Sequence, residues 1–261
     1  MFLMIKVRDN TDCIYMNRRI IICRFLNEEG KQYHINCKEG DVGRYVLLPG
    51  DPFRTDVIAS MFDDAKLVAH NRECKTWTGT LNGEKVSVTS TGMGSPSTAI
   101  VVEELIRCGA DTFIRVGTSG RVCPASQDMS LNGVINTAAV RDEGTTISYV
   151  PLAYPAVADR HVVDALARAA KKLGYNFAEG ITHSKDAFYA EIEPDNMPNS
   201  DYVKSRWQAW ERSNVMCSEI GGCCDFHRFF HQKLPCICRY GVQESKPPGC
   251  DGNSKLRVCG F

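Results

Sequence analysis

The sequence has no excess of charge of either sign: Lys and Arg total 31 and Asp and Glu total 31 in 261 residues. A chain so balanced has no bulk field to hold nucleic acid or an anionic membrane, although a local arginine cluster stays possible. It has no apolar run long enough to span a bilayer. The opening 24 residues mix apolar side chains with Lys6, Arg8, Arg18 and Arg19 and lack a clean apolar stretch followed by small residues. That argues against a secretory signal and sets the expectation of a cytosolic protein. Missing too are a Gly-x-x-x-x-Gly-Lys-Ser/Thr phosphate loop and a Gly-x-Gly-x-x-Gly turn after a strand, so neither a Walker nucleotidase nor a dinucleotide fold is expected.

What is present is ordinary for a globular chain, 43% hydrophobic and 24% charged, enough for one large domain or two small ones. Cysteine is plentiful, at 13, with six before residue 130 and seven from Cys217 onward. An odd number without a leader points to free thiols rather than a disulfide framework.

Three regions are legible. Residues 1–30 have weak periodicity and no assigned structure. Residues 31–220 alternate strand and helix patterns, which implies an α/β fold with a mixed or mostly parallel sheet. Tyr45-Val46-Leu47-Leu48 is an apolar strand stopped by Pro49-Gly50. Residues 76–81 and 85–91 flank Asn82-Gly83, a hairpin signal because both turn residues tolerate positive φ. Residues 96–107 have helical spacing, with Ser95 as a plausible N-cap. Residues 112–116 read as a strand ending in Gly117-Thr118-Ser119-Gly120. Strands over 134–140 and 178–183 and helices over 161–173 and 202–212 complete the pattern, with Gly174 stopping the first of those helices. From Gly221 to Phe261 the periodicity fades and Gly, Pro, Cys and Arg dominate.

Three segments can converge on an anion. Leu48-Pro49-Gly50-Asp51-Pro52-Phe53-Arg54 is a strand end turning into a helix, with backbone N–H groups and a guanidinium fork. Ile114-Arg115-Val116-Gly117-Thr118-Ser119-Gly120 lies at a strand end, where open α/β sheets bind ligands. Thr91-Gly92-Met93-Gly94-Ser95-Pro96-Ser97 is a glycine turn opening a helix. Taken singly, Gly50 and Gly92 read as turns and Arg54 and Arg115 as surface ion pairs. An arginine inside an apolar strand, as at Arg115, is different: burying it without an anionic partner costs on the order of several kcal/mol.

These residues resemble the uridine-phosphorylase branch of the nucleoside phosphorylases. The likeness rests on Pro49-Gly50-Asp51-Pro52-x-Arg54, Arg72-Glu73 with Thr76-Trp77, Ser90 through Ser97, and Arg115-Val116-Gly117-Thr118-Ser119-Gly120. Val140-Arg141, Pro151-Leu152, Pro155-Ala156-Val157-Ala158-Asp159 and Lys185-Asp186-Ala187-Phe188-Tyr189 extend it over residues 31–220. The resemblance implies an α/β phosphorylase-type three-layer fold around a mixed central sheet, incomplete at the C-terminus, assembled as a dimer or hexamer. It implies that nucleoside and phosphate become free base and ribose 1-phosphate, with phosphate as co-substrate and no cofactor or metal. Gly50, Arg54, Arg115, Gly117 and Thr118 would hold phosphate, Arg54, Arg115 and Thr118 being catalytic. Arg72 would reach a neighbouring subunit's phosphate and His34 its ribose. Thr118, Ser119, Glu191, Glu219 and Ile220 would line the nucleoside, Phe188 would stack near the base, and Ala190-Glu191-Ile192 occupies the stretch where the family carries a base-pairing Gln.

The pattern also departs from that family. Its Glu-Met-Glu strand end is here Glu219-Ile220-Gly221, without the second carboxylate that grips the ribose hydroxyls; such a loss costs a few kcal/mol, roughly, in hydroxyl recognition. The motifs stop at Gly221 and cysteine use rises at once, as a shifted reading frame or truncated product would give. A zinc site using Cys223, Cys224, His227 and His231, with Cys236 and Cys238 nearby, is a rival reading of this tail, though the spacing is not that of a common zinc module. The functional rivals are a phosphorylase preferring purine or other nucleosides and a non-catalytic remnant that only binds phosphate or a partner subunit.

Overall fold

Strand β1 (Tyr45–Leu48) alternates its apolar side chains between two helices. Val46 and Leu48 pack with Val101, Val102 and Leu105 of α2 (Ser95–Arg107), whereas Leu47 packs with Ile58 and Ala59 of α1 (Pro52–Ala59). A strand apolar on both faces is a strand covered on both, and the helix–sheet–helix layering follows. The computed structural model from which these contacts come describes residues 26–221 together with the backbone of residues 236–242. The readings on residues 1–25, and the candidate zinc ligands Cys223, Cys224, His227 and His231, lie outside the described residues.

The other strands are β2 (Asp63–Asn71), β3 (Cys74–Leu81), β4 (Glu84–Thr89), β5 (Thr112–Arg121), β6 (Gly133–Asp142), the short β7 (Ala156–Val157), β8 (Phe177–Lys185), β9 (Val215–Glu219) and β10 (Cys236–Val242). Their order is β10-β6-β8-β9-β5-β1-β4-β3-β2, with β7 beside β6. Because β10 pairs with both β6 and β5, strands β5, β10, β6, β8 and β9 close into a ring. Three further helices, α3 (Arg160–Lys172), α4 (Phe188–Ile192) and α5 (Ser200–Arg212), flank that ring's strands. Leu166, Ala167 and Ala170 of α3 pack on Ile135 of β6.

The hairpin expected at Asn82-Gly83 is the β3–β4 turn, with φ of 52° and 82° and Leu81 opposite Glu84. Two expectations change. The N-cap of α2 is Gly94, at φ 88°, and not Ser95, which is already helical. Residues 117–120 are not a loop: β5 runs on to Arg121 because Gly117, Thr118 and Ser119 face Tyr240, Gly241 and Val242 of β10, and Gly120 faces Ser218 of β9. Pairing on both edges holds extended a segment whose glycines would otherwise favour a turn. Strand β10 itself falls in a segment with no strand periodicity.

Cys37, Cys74, Cys108, Cys123 and Cys217 are free and buried. Burial pushes the Cys37 thiol up to about 11 and those of Cys74, Cys108 and Cys217 to about 12, so they act as small core hydrophobes.

Candidate active site

The first and third anion segments meet through their backbones. Strands β4, β1 and β5 are parallel neighbours, so the chain following β1 and β4 emerges at one sheet edge. Thr91 N–H donates to the Pro49 carbonyl at 2.9 Å and Gly92 N–H to the Gly50 carbonyl at 3.0 Å. The approach leaves no room for side chains: a Cβ on Gly50 would lie 3.2 Å from the Gly92 oxygen. Gly92 and Gly94 have φ of 71° and 88°, which the sharp entry into α2 requires.

The second segment enters at Arg115, which pairs with Leu48, the last residue of β1. Arg115 is 6% exposed. Nη1 donates to Thr91 Oγ1 at 2.9 Å, Nη2 donates to the Ile220 carbonyl at 3.2 Å, and Nε stands 3.9 Å from Glu219 Oε2. A Cβ on Gly50 would be 3.8 Å from Nη2. One guanidinium therefore touches the ends of β4 and β9 and adjoins the end of β1. Glu219 is itself buried, with Oε2 at the edge of ion-pair range from the guanidinium.

Arg54, in the first turn of α1, is partly buried; its backbone N–H donates to the Asp51 carbonyl at 3.2 Å, and its guanidinium has no hydrogen-bond or ion-pair partner among the described residues. It comes from the α1 side of the sheet, while Arg115 lies on the side of Phe113 and α2. Asp51 caps α1 by accepting from Phe53 N–H at 2.9 Å. Gly117 and Thr118 follow Arg115 along β5, with Thr118 exposed and Ser119 buried.

Other candidates lie apart from this corner. His34 is clamped to Glu104 of α2, Nδ1 to Oε1 at 2.6 Å, and its carbonyl accepts from Asn71 at 2.8 Å. Arg72, next to Asn71, is exposed at the β2–β3 turn with φ 53°. The two thus share one outer edge. That turn also touches the site, since Ser90 Oγ donates to the Glu73 carbonyl and Glu73 packs on Gly92. Phe188 is 48% exposed at the start of α4. Glu191 is not gathered with Arg115: it is engaged by His183, Lys185 and Ser218, and Ser218 precedes Glu219 in β9, so the two carboxylates lie on opposite faces of that strand.

Two features escaped the sequence reading. Thr91 orients Arg115, and its signal was a hydroxyl standing just before the glycine turn. The buried polar contacts of His183 and Lys185 with Glu191 are the other, since in the sequence these residues stand only as polar positions near a strand end. A Thr91→Val variant keeps the volume but removes an acceptor from a charged donor, worth about 1.5–3 kcal/mol. The variant's affinity for an oxyanion probe such as inorganic phosphate, measured by calorimetric titration, is expected to fall by roughly ten- to a hundredfold.

A closed strand ring beside a parallel edge, with a buried guanidinium at the junction and glycine-tight loops around it, defines an α/β protein with donors that could receive an oxyanion at that corner. Comparison with known proteins bears on the fold and the family. A family profile described as the phosphorylase superfamily matches residues 44–250, continuing past Gly221 where the motifs stop. Uridine phosphorylase from Thermococcus kodakarensis is 56% identical over 162 residues, 62% of this chain; the chain spans 58% of that protein's length. Uridine phosphorylase from Treponema pallidum is 48% identical over 189 residues, 72% of each chain. A crystal structure of uridine phosphorylase from Vibrio fischeri superposes with a TM-score of 0.73 at 29% identity, covering 82% of this chain and 84% of the other. The chain belongs to the phosphorylase superfamily.

Proposed function

We propose that this chain carries out phosphorolysis of a nucleoside, uridine by default, to give free base and ribose 1-phosphate. The observation that carries the reading is the double hydrogen bonding of Arg115 to Thr91 and Ile220 beside Gly50, with Glu219 3.9 Å from its Nε. A phosphate held by Arg115, Arg54 and the amides near Gly50 lies next to the strand end that carries Glu219. As the bond from sugar to base lengthens, positive charge develops on the sugar carbon and its ring oxygen. A dianion fixed beneath that carbon both stabilises the charge and forms the new C–O bond, while the electron pair leaves with the base. Thr118 and Ser119 continue β5 beyond Arg115 towards the sugar, and Phe188 offers a ring to the base. No organic cofactor or metal enters this chemistry.

His34 and Arg72, on one outer edge, suit contact with a neighbouring copy, which favours a dimer or a hexamer built from dimers. No helix among the described residues is long and apolar enough to cross a membrane, and a cytosolic location fits the buried thiols.

The test is release of free base from uridine, thymidine and inosine by soluble protein, with and without phosphate. Uracil release that requires phosphate is expected, with uridine favoured. Faster release from inosine would reassign the base preference. Folded protein that releases no base in any arm would overturn the reading in favour of a non-catalytic remnant.

A further inference from the structure

On the face of β8 and β9 turned away from Arg115 lies a chain of linked polar and charged side chains. Arg206 of α5 donates to Asp142 Oδ1 at the end of β6. Asp142 Oδ2 lies 2.8 Å from Nε2 of His183, whose Nδ1 lies 3.2 Å from Glu191 Oε1. The other Glu191 oxygen pairs with Lys185 Nζ and accepts from Ser218 Oγ at 3.2 Å. His183 is 1% exposed. Two tryptophans of α5 cover the array: the Trp210 ring is 5.5 Å from that of His183, and Lys185 Nζ is 5.8 Å from the Trp207 ring centre. Burial raises the Asp142 carboxyl, but the hydrogen bonds from His183 and Arg206 outweigh it and hold the group below its ordinary range.

The array matters because of what α4 lacks. It has five residues, none of them buried, and no side-chain N-cap. A single turn is far too short to persist on propensity alone. Its polar tether to the sheet is Glu191, with both carboxylate oxygens engaged by protein groups from β8 and β9. Phe188 stands three residues earlier on the same turn.

We propose that Glu191, clamped by His183, Lys185 and Ser218, is a positioning residue that fixes α4, and with it Phe188, at the nucleoside side of the site, and that it does not read the base edge. What Phe188 contacts rests on the phosphorolysis reading; the clamp itself does not. The physical reason is geometric. A carboxylate already committed to an ammonium, an imidazole and a hydroxyl, on the far face of β9 from Glu219, has to abandon a buried ammonium before it can reach a base.

The experiment compares Glu191→Ala, Glu191→Gln, Phe188→Ala and the Phe188→Ala/Glu191→Ala double variant with the parent chain. Hydrogen exchange at the amides of residues 188–192 is expected to quicken by roughly tenfold in Glu191→Ala while β1 and β5 stay protected, and Glu191→Gln, which keeps an acceptor for Lys185 and Ser218, recovers part of the loss. Uridine KM is expected to rise by roughly tenfold with phosphate KM within about twofold, and the uridine-to-inosine preference is unchanged. In the Phe188→Ala background the Glu191 change adds less than about twofold, because both act through one contact. Unchanged exchange at 188–192, full additivity, or a shifted uridine-to-inosine ratio each overturns the proposal. If the parent chain releases no base, the phosphorolysis reading fails while the exchange data still decide the clamp. If Glu191→Ala does not fold, Glu191→Gln decides by the same readouts.

Discussion

Replacing Arg115 with alanine is expected to lower phosphate-dependent base release by about 10²–10³-fold, the usual cost of removing a positioned donor from a developing or transferred anion. No other described side chain makes the same connections. Thr91 would lose the donor that fixes its hydroxyl, the Ile220 carbonyl would lose its hydrogen bond, and Glu219 would stay buried without the guanidinium beside it. Stability should fall as well. Breaking a fully buried ion pair costs about 3–5 kcal/mol, and the loose 3.9 Å contact here puts the loss below that range. The Arg115→Ala/Glu219→Gln double variant separates the two effects: its melting temperature should recover towards the parent value and its turnover should not. Melting curves and initial rates at varied phosphate make the comparison. Near-parental turnover in a folded Arg115→Ala protein would remove the oxyanion site from the account.

The second large effect concerns Gly221, which stands where the family carries a second carboxylate. Restoring that glutamate looks from the sequence like a repair, but the backbone refuses it. Gly221 has φ +114°, and an added Cβ would lie 3.0 Å from Thr98 Oγ1 and 3.3 Å from the carbonyl carbon and oxygen of Gly94. The conformation alone costs about 1–3 kcal/mol for a residue with a side chain. The crowding pushes on Gly94, the N-cap of α2 and part of the glycine turn beside Arg115. Gly221→Glu is therefore expected to melt several degrees lower, roughly 2–4 °C per kcal/mol for a chain of this size, and to gain no activity. Gly221→Ala, with the same Cβ and no charge, should show most of the same loss. A Gly221→Glu protein that is as stable as the parent and more active would mean that the chain after Glu219 takes a different path.

Where chemistry was local, the sequence was a good guide. Asn82-Gly83 can turn a hairpin because both residues accept positive φ. Gly174 ends α3 at φ 73°, and Asp51 with Pro52 starts α1, because turn and cap preferences are properties of a few consecutive residues. Local rules failed where partners distant in the chain took over. Residues 117–120 have loop composition, yet strands β9 and β10 satisfy their backbone groups and keep them extended. Ser95 is a good cap by composition, but the tight approach of Gly92 to Gly50 moves the helix start back to Gly94. Nothing in the tail's periodicity announces β10, whose pairing closes the ring.

The sequence by itself determined the chemical inventory: an arginine inside an apolar strand, glycines at strand ends, and no metal-ligand or dinucleotide pattern over the segments that carry the resemblance. Tertiary structure alone decided which of those groups meet. Strand pairing places Thr91 and Ile220 within hydrogen-bond reach of Arg115, although Ile220 is 105 residues away from it in the chain. Strand alternation turns Glu219 towards the guanidinium and Ser218, with its partner Glu191, away from it. The physical reason is that a strand residue's facing depends on register, and register is fixed only when the neighbouring strand is in place.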